Sequence, residues 1–150
     1  MQKTIYSLPV LMELCRDANR RYRDFLSALE DPREGLKKLR KIAQPVSEAG
    51  RNYRGFHLLA AEDQELFQVI ARGEHQISGF TNRTLRRLLK GKGSSQISRL
   101  LKRLRTHGLI KKVGRTYKYY LTKLGQKAVI AATKLRETLL VPTFTQTANT

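Results

Sequence analysis

The side chains whose types and spacing indicate a chemistry lie between positions 95 and 103. They are Ser95, Gln96, Ser98, Arg99, Lys102 and Arg103. A helix over residues 94–107 would bring them to one outer face, opposite an apolar side formed by Ile97, Leu100, Leu101 and Leu104. Arg matches the guanine edge, Gln matches adenine, and hydroxyl groups suit bases or phosphates. The pattern predicts a helix that reads base pairs in the major groove of DNA, and we call it the reading helix.

A second set of residues flanks the reading helix in sequence and is suited to the sugar–phosphate backbone. These are Arg83, Arg87, Lys90, Lys92, Ser94, Lys111, Lys112, Arg115 and Lys118. The first three belong to the preceding helix, Lys92 to a tight turn, and the last four to a hairpin over residues 109–121. Ser94 stands at the start of the reading helix, where free backbone N–H groups favour a phosphate. We expect this set to hold the backbone, with the hairpin on phosphate or in the minor groove.

The distribution of charge indicates a polyanionic partner. The 150 residues include 30 Lys and Arg against 12 Asp and Glu, which gives a net charge of +18. Between Glu74 and Glu137 there are 17 basic residues and no acidic one. A solvated basic surface is the alternative interpretation, but such surfaces normally mix both signs of charge. Basic residues without acidic neighbours repel one another, and binding to a polyanion relieves that repulsion. We therefore expect nucleic acid as the partner.

Hydrophobic spacing and turn residues predict the elements that must position these side chains. We expect an N-terminal helical region over 1–45, a linker or arm over 46–58 that pairs briefly as strand, and a winged-helix domain over 59–122. A C-terminal helix over 123–142 and a flexible tail over 143–150 follow. The expected fold class is therefore mainly α with a small β-hairpin wing. It is a winged helix-turn-helix with an N-terminal helical extension and a C-terminal helix.

Local signals add finer expectations inside this plan. Ser94 or Ser95 is expected to cap the reading helix. Gly73 is expected to end the preceding helix, with a short extended piece at 77–80. His107 falls at the C-terminal end of the reading helix, where a cation suits the helix dipole.

Three tyrosines of the predicted hairpin, Tyr117, Tyr119 and Tyr120, allow two interpretations. Aromatic rings can stack on unpaired bases, as in single-strand binders. Alternating aromatic residues on a strand more often pack on the domain, and we expect packing here.

Apolar residues of the first and last helices predict a homodimer interface. They are Leu8, Leu11, Tyr22, Phe25 and Leu29 with Leu124, Ala128, Ala131, Leu135 and Leu139. Packing of these two helices on each other within one chain is the alternative. A dimer would place two reading helices about 34 Å apart, one turn of DNA, and would favour a near-palindromic site.

Catalysis and membrane insertion find no support in the sequence. His57, His75 and His107 lack partners at metal-ligand spacing, and no P-loop or dinucleotide-binding fingerprint occurs. The single Cys15 is typical of a reducing cytosol, and no apolar run is long enough to span a bilayer. We expect no catalytic residue, no metal and no cofactor, and a cytoplasmic location.

Residues 78–125 resemble the winged-helix domain of MarR-type bacterial regulators. The segments HGLIKKVG at 107–114 and YYLTKLG at 119–125 carry much of the likeness. The block from ANRRYRDFLSALEDP through YRGF and ISGFTNRTLRRLL is also similar to the C-terminal part of a larger group of uncharacterised bacterial proteins. The second resemblance suggests a bacterial cytosolic protein, which we expect to associate with the nucleoid. The MarR resemblance implies a homodimer with each reading helix in a major groove. The N-terminal half, with PVSEAGRNYRGF, departs from that pattern.

Three functions are compatible with these features. The first is a sequence-specific double-stranded DNA-binding transcriptional regulator, with repression as the expected mode. It would use helix 94–107 in the major groove and wing 109–121 on the backbone or minor groove. The alternatives are a DNA- or RNA-binding subunit of a mobile-element or CRISPR-type nucleoprotein complex, with RNA or protein partners, and a nonspecific architectural DNA binder.

Overall fold

Helices form most of the described chain, and two short antiparallel hairpins complete it. The computed structural model describes residues 8–28 and 39–139. The order is α1 (Leu8–Ala28), β1 (Val46–Glu48), β2 (Arg51–Tyr53), α2 (Ala61–Ala71), α3 (Gly73–Ser78), α4 (Asn82–Leu88), α5 (Ser94–Thr106), β3 (Ile110–Lys112), β4 (Tyr119–Leu121) and α6 (Lys123–Leu139). Residues 39–43 are also helical. The expectation of a mainly α fold with a small β-hairpin is confirmed.

The core lies between α2, α4, α5 and α6. Apolar residues at helical spacing supply it, including Leu66, Phe67 and Ile70 of α2. Gly125 lets α6 approach the start of β3, because a Cβ there would collide with the carbonyl oxygen of Leu109. This close approach fixes the second hairpin against the helical core.

The segment over residues 72–80 differs from its prediction. α2 ends at Ala71 and Gly73 begins α3, so the predicted extended piece is helical up to Ser78. Only Phe80 pairs as a strand: its N–H donates to the Tyr119 carbonyl at 2.9 Å and its carbonyl accepts from the Tyr119 N–H at 2.8 Å. The sequence signal was misleading because a glycine can start a helix as well as end one.

Helix α1 packs across α3 and the second hairpin. The Arg21 guanidinium donates to the Ile77 carbonyl at 3.1 Å and lies 5.3 Å from the Tyr120 ring centre. Other α1 side chains have no such cover: Leu8, Leu11 and Leu14 are 53–60% exposed. An exposed apolar surface of this kind is typical of an interface.

The predicted pairing of the first and last helices needs a correction. Ala128 and Ala131 are fully buried in the chain's own core, and α6 packs mainly against α2. These two residues therefore cannot meet a second subunit. Leu29 and the side chains of Phe25 and Leu139 lie outside the part of the chain that the structure describes.

Two buried histidines form part of this core. His75 Nδ1 lies 2.8 Å from the Val69 carbonyl, and His107 Nε2 lies 3.1 Å from the Arg54 carbonyl. Burial lowers the pKa of both rings below the ordinary value of 6.5, since the charged form loses hydration. The lowered pKa of His107 disfavours the charged ring, which argues against the expectation that His107 serves the helix dipole as a cation.

The lowered histidine pKa values predict a loss of stability in mild acid. Each histidine binds a proton more readily in the unfolded chain than in the folded chain. As the pH falls through the pKa of the unfolded state, proton binding therefore stabilises the unfolded chain relative to the folded one. The free energy of unfolding should decrease from pH 7.5 to about 5.5, and the decrease should shrink in a His75→Asn, His107→Asn variant. Urea titrations at both pH values measure it, and a pH-independent midpoint in the wild type would contradict the assignment.

Candidate nucleic-acid interface

The turn between α4 and α5 is held by a small set of polar contacts. Thr81 caps α4, since its Oγ1 accepts from the Thr84 N–H at 3.2 Å. Asn82 Nδ2 donates to the Ser94 carbonyl at 3.0 Å and to Ser98 Oγ at 2.8 Å. These bonds tie the start of α4 to the first turns of α5, so the two helices present one continuous surface.

The start of α5 differs by one residue from its prediction. Gly93 occupies the cap position rather than Ser94 or Ser95, and α5 begins at Ser94. Gln96 Oε1 accepts from the Gly93 N–H at 2.8 Å, which is the reciprocal half of a capping box. Gln96 therefore has a structural bond at its oxygen while its amide N–H₂ remains available to a ligand.

The N-terminal half of α5 presents an open polar face. Ser95, Gln96, Ser98 and Arg99 are all exposed, as predicted for base-reading residues. Arg99 forms no ion pair with any residue that the structure describes. The Ser98 hydroxyl accepts from Asn82 and keeps its own O–H for donation. This half of the helix offers donors of the kinds that recognise base edges.

Arg103 is not a base-reading residue, and that prediction is wrong. The residue is 6% exposed, and its guanidinium makes a bidentate ion pair with Asp63, at 3.0 and 3.1 Å. It also donates to the carbonyls of Arg54 at 3.0 Å and Gly55 at 2.6 Å, and its guanidinium carbon lies 3.8 Å from the Phe56 ring centre. Projection on a helical wheel placed Arg103 on the flank of the outer face but could not show a partner 40 positions away.

Lys102 is exposed but its ammonium is engaged. Lys102 Nζ lies 2.7 Å from Glu48 Oε2, and Thr106 Oγ1 donates to the same oxygen at 2.8 Å. The hydrogen bond from Lys102, with that from Thr106, lowers the pKa of the Glu48 carboxyl. Sequence reasoning missed Glu48, because one acid in a linker gave no sign that the β1–β2 hairpin docks on α5.

The predicted backbone-binding residues lie at the start of α5 and on the elements that flank it in sequence, which are α4, the turn after α4 and the β3–β4 hairpin. Arg83, Arg87, Lys90, Ser94, Lys111, Lys112, Arg115 and Lys118 are exposed, and Lys92 is partly buried. The basic members of this set form no ion pair with the described residues. Lys111 shares a cleft with Asp24 of α1, while the other charges of the set lack a carboxylate in ion-pair contact, which favours contact with a polyanion.

The three tyrosines of the second hairpin divide into two groups. Tyr119 stacks on Phe80 with ring centres 6.3 Å apart, and Tyr120 lies under Arg21, so both pack on the domain as expected. Tyr117 is 81% exposed, which contradicts that expectation for this residue. Lys112 Nζ lies 5.5 Å from the Tyr117 ring centre, so the tip of the hairpin presents an aromatic ring next to a cation.

Comparison of the chain with protein-family models, curated proteins and solved structures finds no match. Within residues 8–28 and 39–139, no helix is long and apolar enough to cross a membrane. Over the same described residues, His, Cys, Asp and Glu side chains do not gather in groups of three or more that would hold a metal ion.

Because Arg103 is buried and Arg99 is exposed, replacing Arg103 should destabilise the fold much more than replacing Arg99. Removing one partner of a buried ion pair leaves an uncompensated charge and typically costs about 3–5 kcal/mol. Arg103→Ala should lose about that much unfolding free energy, whereas Arg99→Ala should change it by about 0.5 kcal/mol or less. Urea denaturation of both variants compares them directly. Equal midpoints for Arg103→Ala and the wild type would contradict the burial of this guanidinium.

Proposed function

We propose that this protein is a sequence-specific double-stranded DNA-binding regulator of the winged-helix type. One observation carries the proposal: α5 has an open, polar N-terminal half and packs against α4 and β3, and the exposed cations of α4 and of the β3–β4 hairpin have no acidic neighbours in sequence. A helix of this kind fits the major groove, and its first turns meet the base edges. Cations on both sides then hold the phosphate strands.

The connectivity supports the winged-helix part of the proposal. Helices α2, α4 and α5 are followed by the β3–β4 hairpin, and Phe80 pairs beside β4. In this arrangement α5 is the second helix of a helix-turn-helix and β3–β4 is the wing. The exposed basic residues of the wing, Lys112 and Arg115, are then suited to phosphate or to the minor groove.

The protein acts by occupying DNA, without catalysis, metal or cofactor. Binding across a promoter excludes polymerase, so repression is the mode that this activity produces most directly. The predicted setting is the bacterial cytoplasm, in association with the nucleoid.

A second candidate function is favoured by Tyr117. An aromatic ring that is 81% exposed beside Lys112 resembles a stacking platform for unpaired bases. That feature supports a nucleic-acid-binding subunit of a mobile-element or CRISPR-type complex, in which the partner is single-stranded DNA or RNA. Duplex binding that is unaffected by Tyr117→Ala, together with weak single-strand binding, favours the regulator.

Substitution of one residue in each set distinguishes base reading from backbone binding. Arg99→Ala should lose discrimination at one base pair by about 1–3 kcal/mol, because its donors face the groove. Lys112→Ala should weaken all duplexes alike and reduce the salt dependence by about one phosphate contact. Titration of a panel of duplexes with single base changes measures both. Uniform loss from both variants would instead indicate an architectural binder.

We also propose a homodimer that forms through α1. Leu8, Leu11 and Leu14 are each more than half exposed on this helix, and burying them in a second subunit would remove apolar surface from water.

Light scattering on the purified protein should give twice the chain mass. A Leu11→Asp, Leu14→Asp variant should give a monomer with unchanged helical content, because both side chains are exposed in the single chain. A wild type that remains monomeric both free and on DNA would exclude the dimer.

A further inference from the structure

The β1–β2 hairpin, which we call the arm, is a defined element beside α5. Its strands pair antiparallel, with Val46 opposite Tyr53 and Glu48 opposite Arg51. Ala49 and Gly50 connect them with φ values of 50° and 71°, the conformation of a tight two-residue hairpin turn. The register places Arg51 opposite Glu48 on the paired strands, and Glu48 is the residue that contacts α5.

Several contacts fix the arm to the C-terminal half of α5. Glu48 Oε2 lies 2.7 Å from Lys102 Nζ, and Arg103 Nε donates to the Arg54 carbonyl at 3.0 Å. His107 Nε2 lies 3.1 Å from that same carbonyl. The arm is therefore anchored at its strands and at the chain that follows them, and its position relative to α5 is defined.

The arm and α5 enclose a cleft of about 740 Å³ beside the open half of the helix. Its walls include Arg51, Asn52 and Tyr53 from the arm and Ser98, Arg99 and Lys102 from α5. The lining side chains include no carboxylate. A concave surface that combines cations, hydroxyl and amide donors with an aromatic wall is suited to a phosphodiester.

Two of the cations in the cleft are available to a ligand. Lys102 is paired with Glu48, and Arg103 with Asp63. Arg54 is also paired, since its Nη2 lies 3.8 Å from Glu62 Oε2. Arg51 and Arg99, by contrast, are exposed and form no ion pair with the described residues. They stand on opposite walls, so an anion between them would meet positive charge on both sides.

We propose that the arm is a further DNA-contacting element, with Arg51 and Asn52 donating to phosphate oxygens of the strand that borders the groove occupied by α5. The cleft then encloses that backbone between the arm and the face of α5 that carries Ser98 and Arg99. This inference rests on the proposed DNA-binding function and extends the contact surface beyond α4, α5 and the wing.

The test compares variants that differ by one exposed arginine. Fluorescence anisotropy with a duplex of random sequence, over about 50 to 200 mM salt, gives affinity and salt slope. Arg51→Ala should bind about ten-fold more weakly and lose about 0.9 from the slope, because one phosphate contact disappears. Arg51→Lys should keep the slope and lose less affinity. Arg136→Ala, on the exposed end of α6, should match the wild type.

The outcomes separate the inference from the function on which it rests. A wild type that binds duplex DNA, with Arg51→Ala indistinguishable from Arg136→Ala, would overturn the role of the arm and leave the DNA-binding proposal intact. A wild type without measurable duplex binding would overturn both. Matching thermal unfolding of Arg51→Ala and wild type, expected for an exposed side chain, assigns the loss of affinity to the contact itself.

Discussion

The buried ion pair between Arg103 and Asp63 is the contact on which the arrangement of the site depends. It joins α5 to the start of α2, and the remaining donors of the same guanidinium bind the backbone of residues 54 and 55. The guanidinium also covers the Phe56 ring. One charged group thus sets the position of α5 on the core and the position of the arm beside α5. The buried guanidinium can shift little, because the loss of any partner would leave part of its charge buried and uncompensated.

This anchor divides the outer face of α5 into two halves with different environments. The C-terminal half is engaged by the arm, because Glu48 accepts hydrogen bonds from Lys102 and Thr106. The charges of Lys102 and Glu48 neutralise each other. The N-terminal half remains open and continues into the basic surfaces of α4 and the wing. This division suits the proposed DNA contact, because helix-turn-helix proteins use the first turns of their second helix to reach bases. It also explains why an acidic residue is compatible with a surface proposed to bind DNA.

Sequence patterns predicted the features that depend on local spacing. The buried positions Ile97, Leu101 and Leu104, the hairpin at 109–121 and the exposure of Arg99 follow from helical and strand periodicity and from turn residues. The errors concern partners that are distant in sequence. The prediction that Arg103 binds DNA is wrong because local spacing cannot identify its carboxylate partner, Asp63, which lies 40 positions earlier. Ala128 was assigned to a dimer because small apolar residues suit an interface within a chain as well as one between chains.

The central claim is that the open half of α5 reads a duplex sequence. Selection from a pool of random DNA duplexes, with structured and single-stranded RNA as competitors, tests it most directly. The account predicts enrichment of a short near-palindromic motif, little competition by RNA, and a change of the motif at one base-pair position in Arg99→Ala. Recovery of an unenriched pool, or preferential binding of RNA, would contradict it.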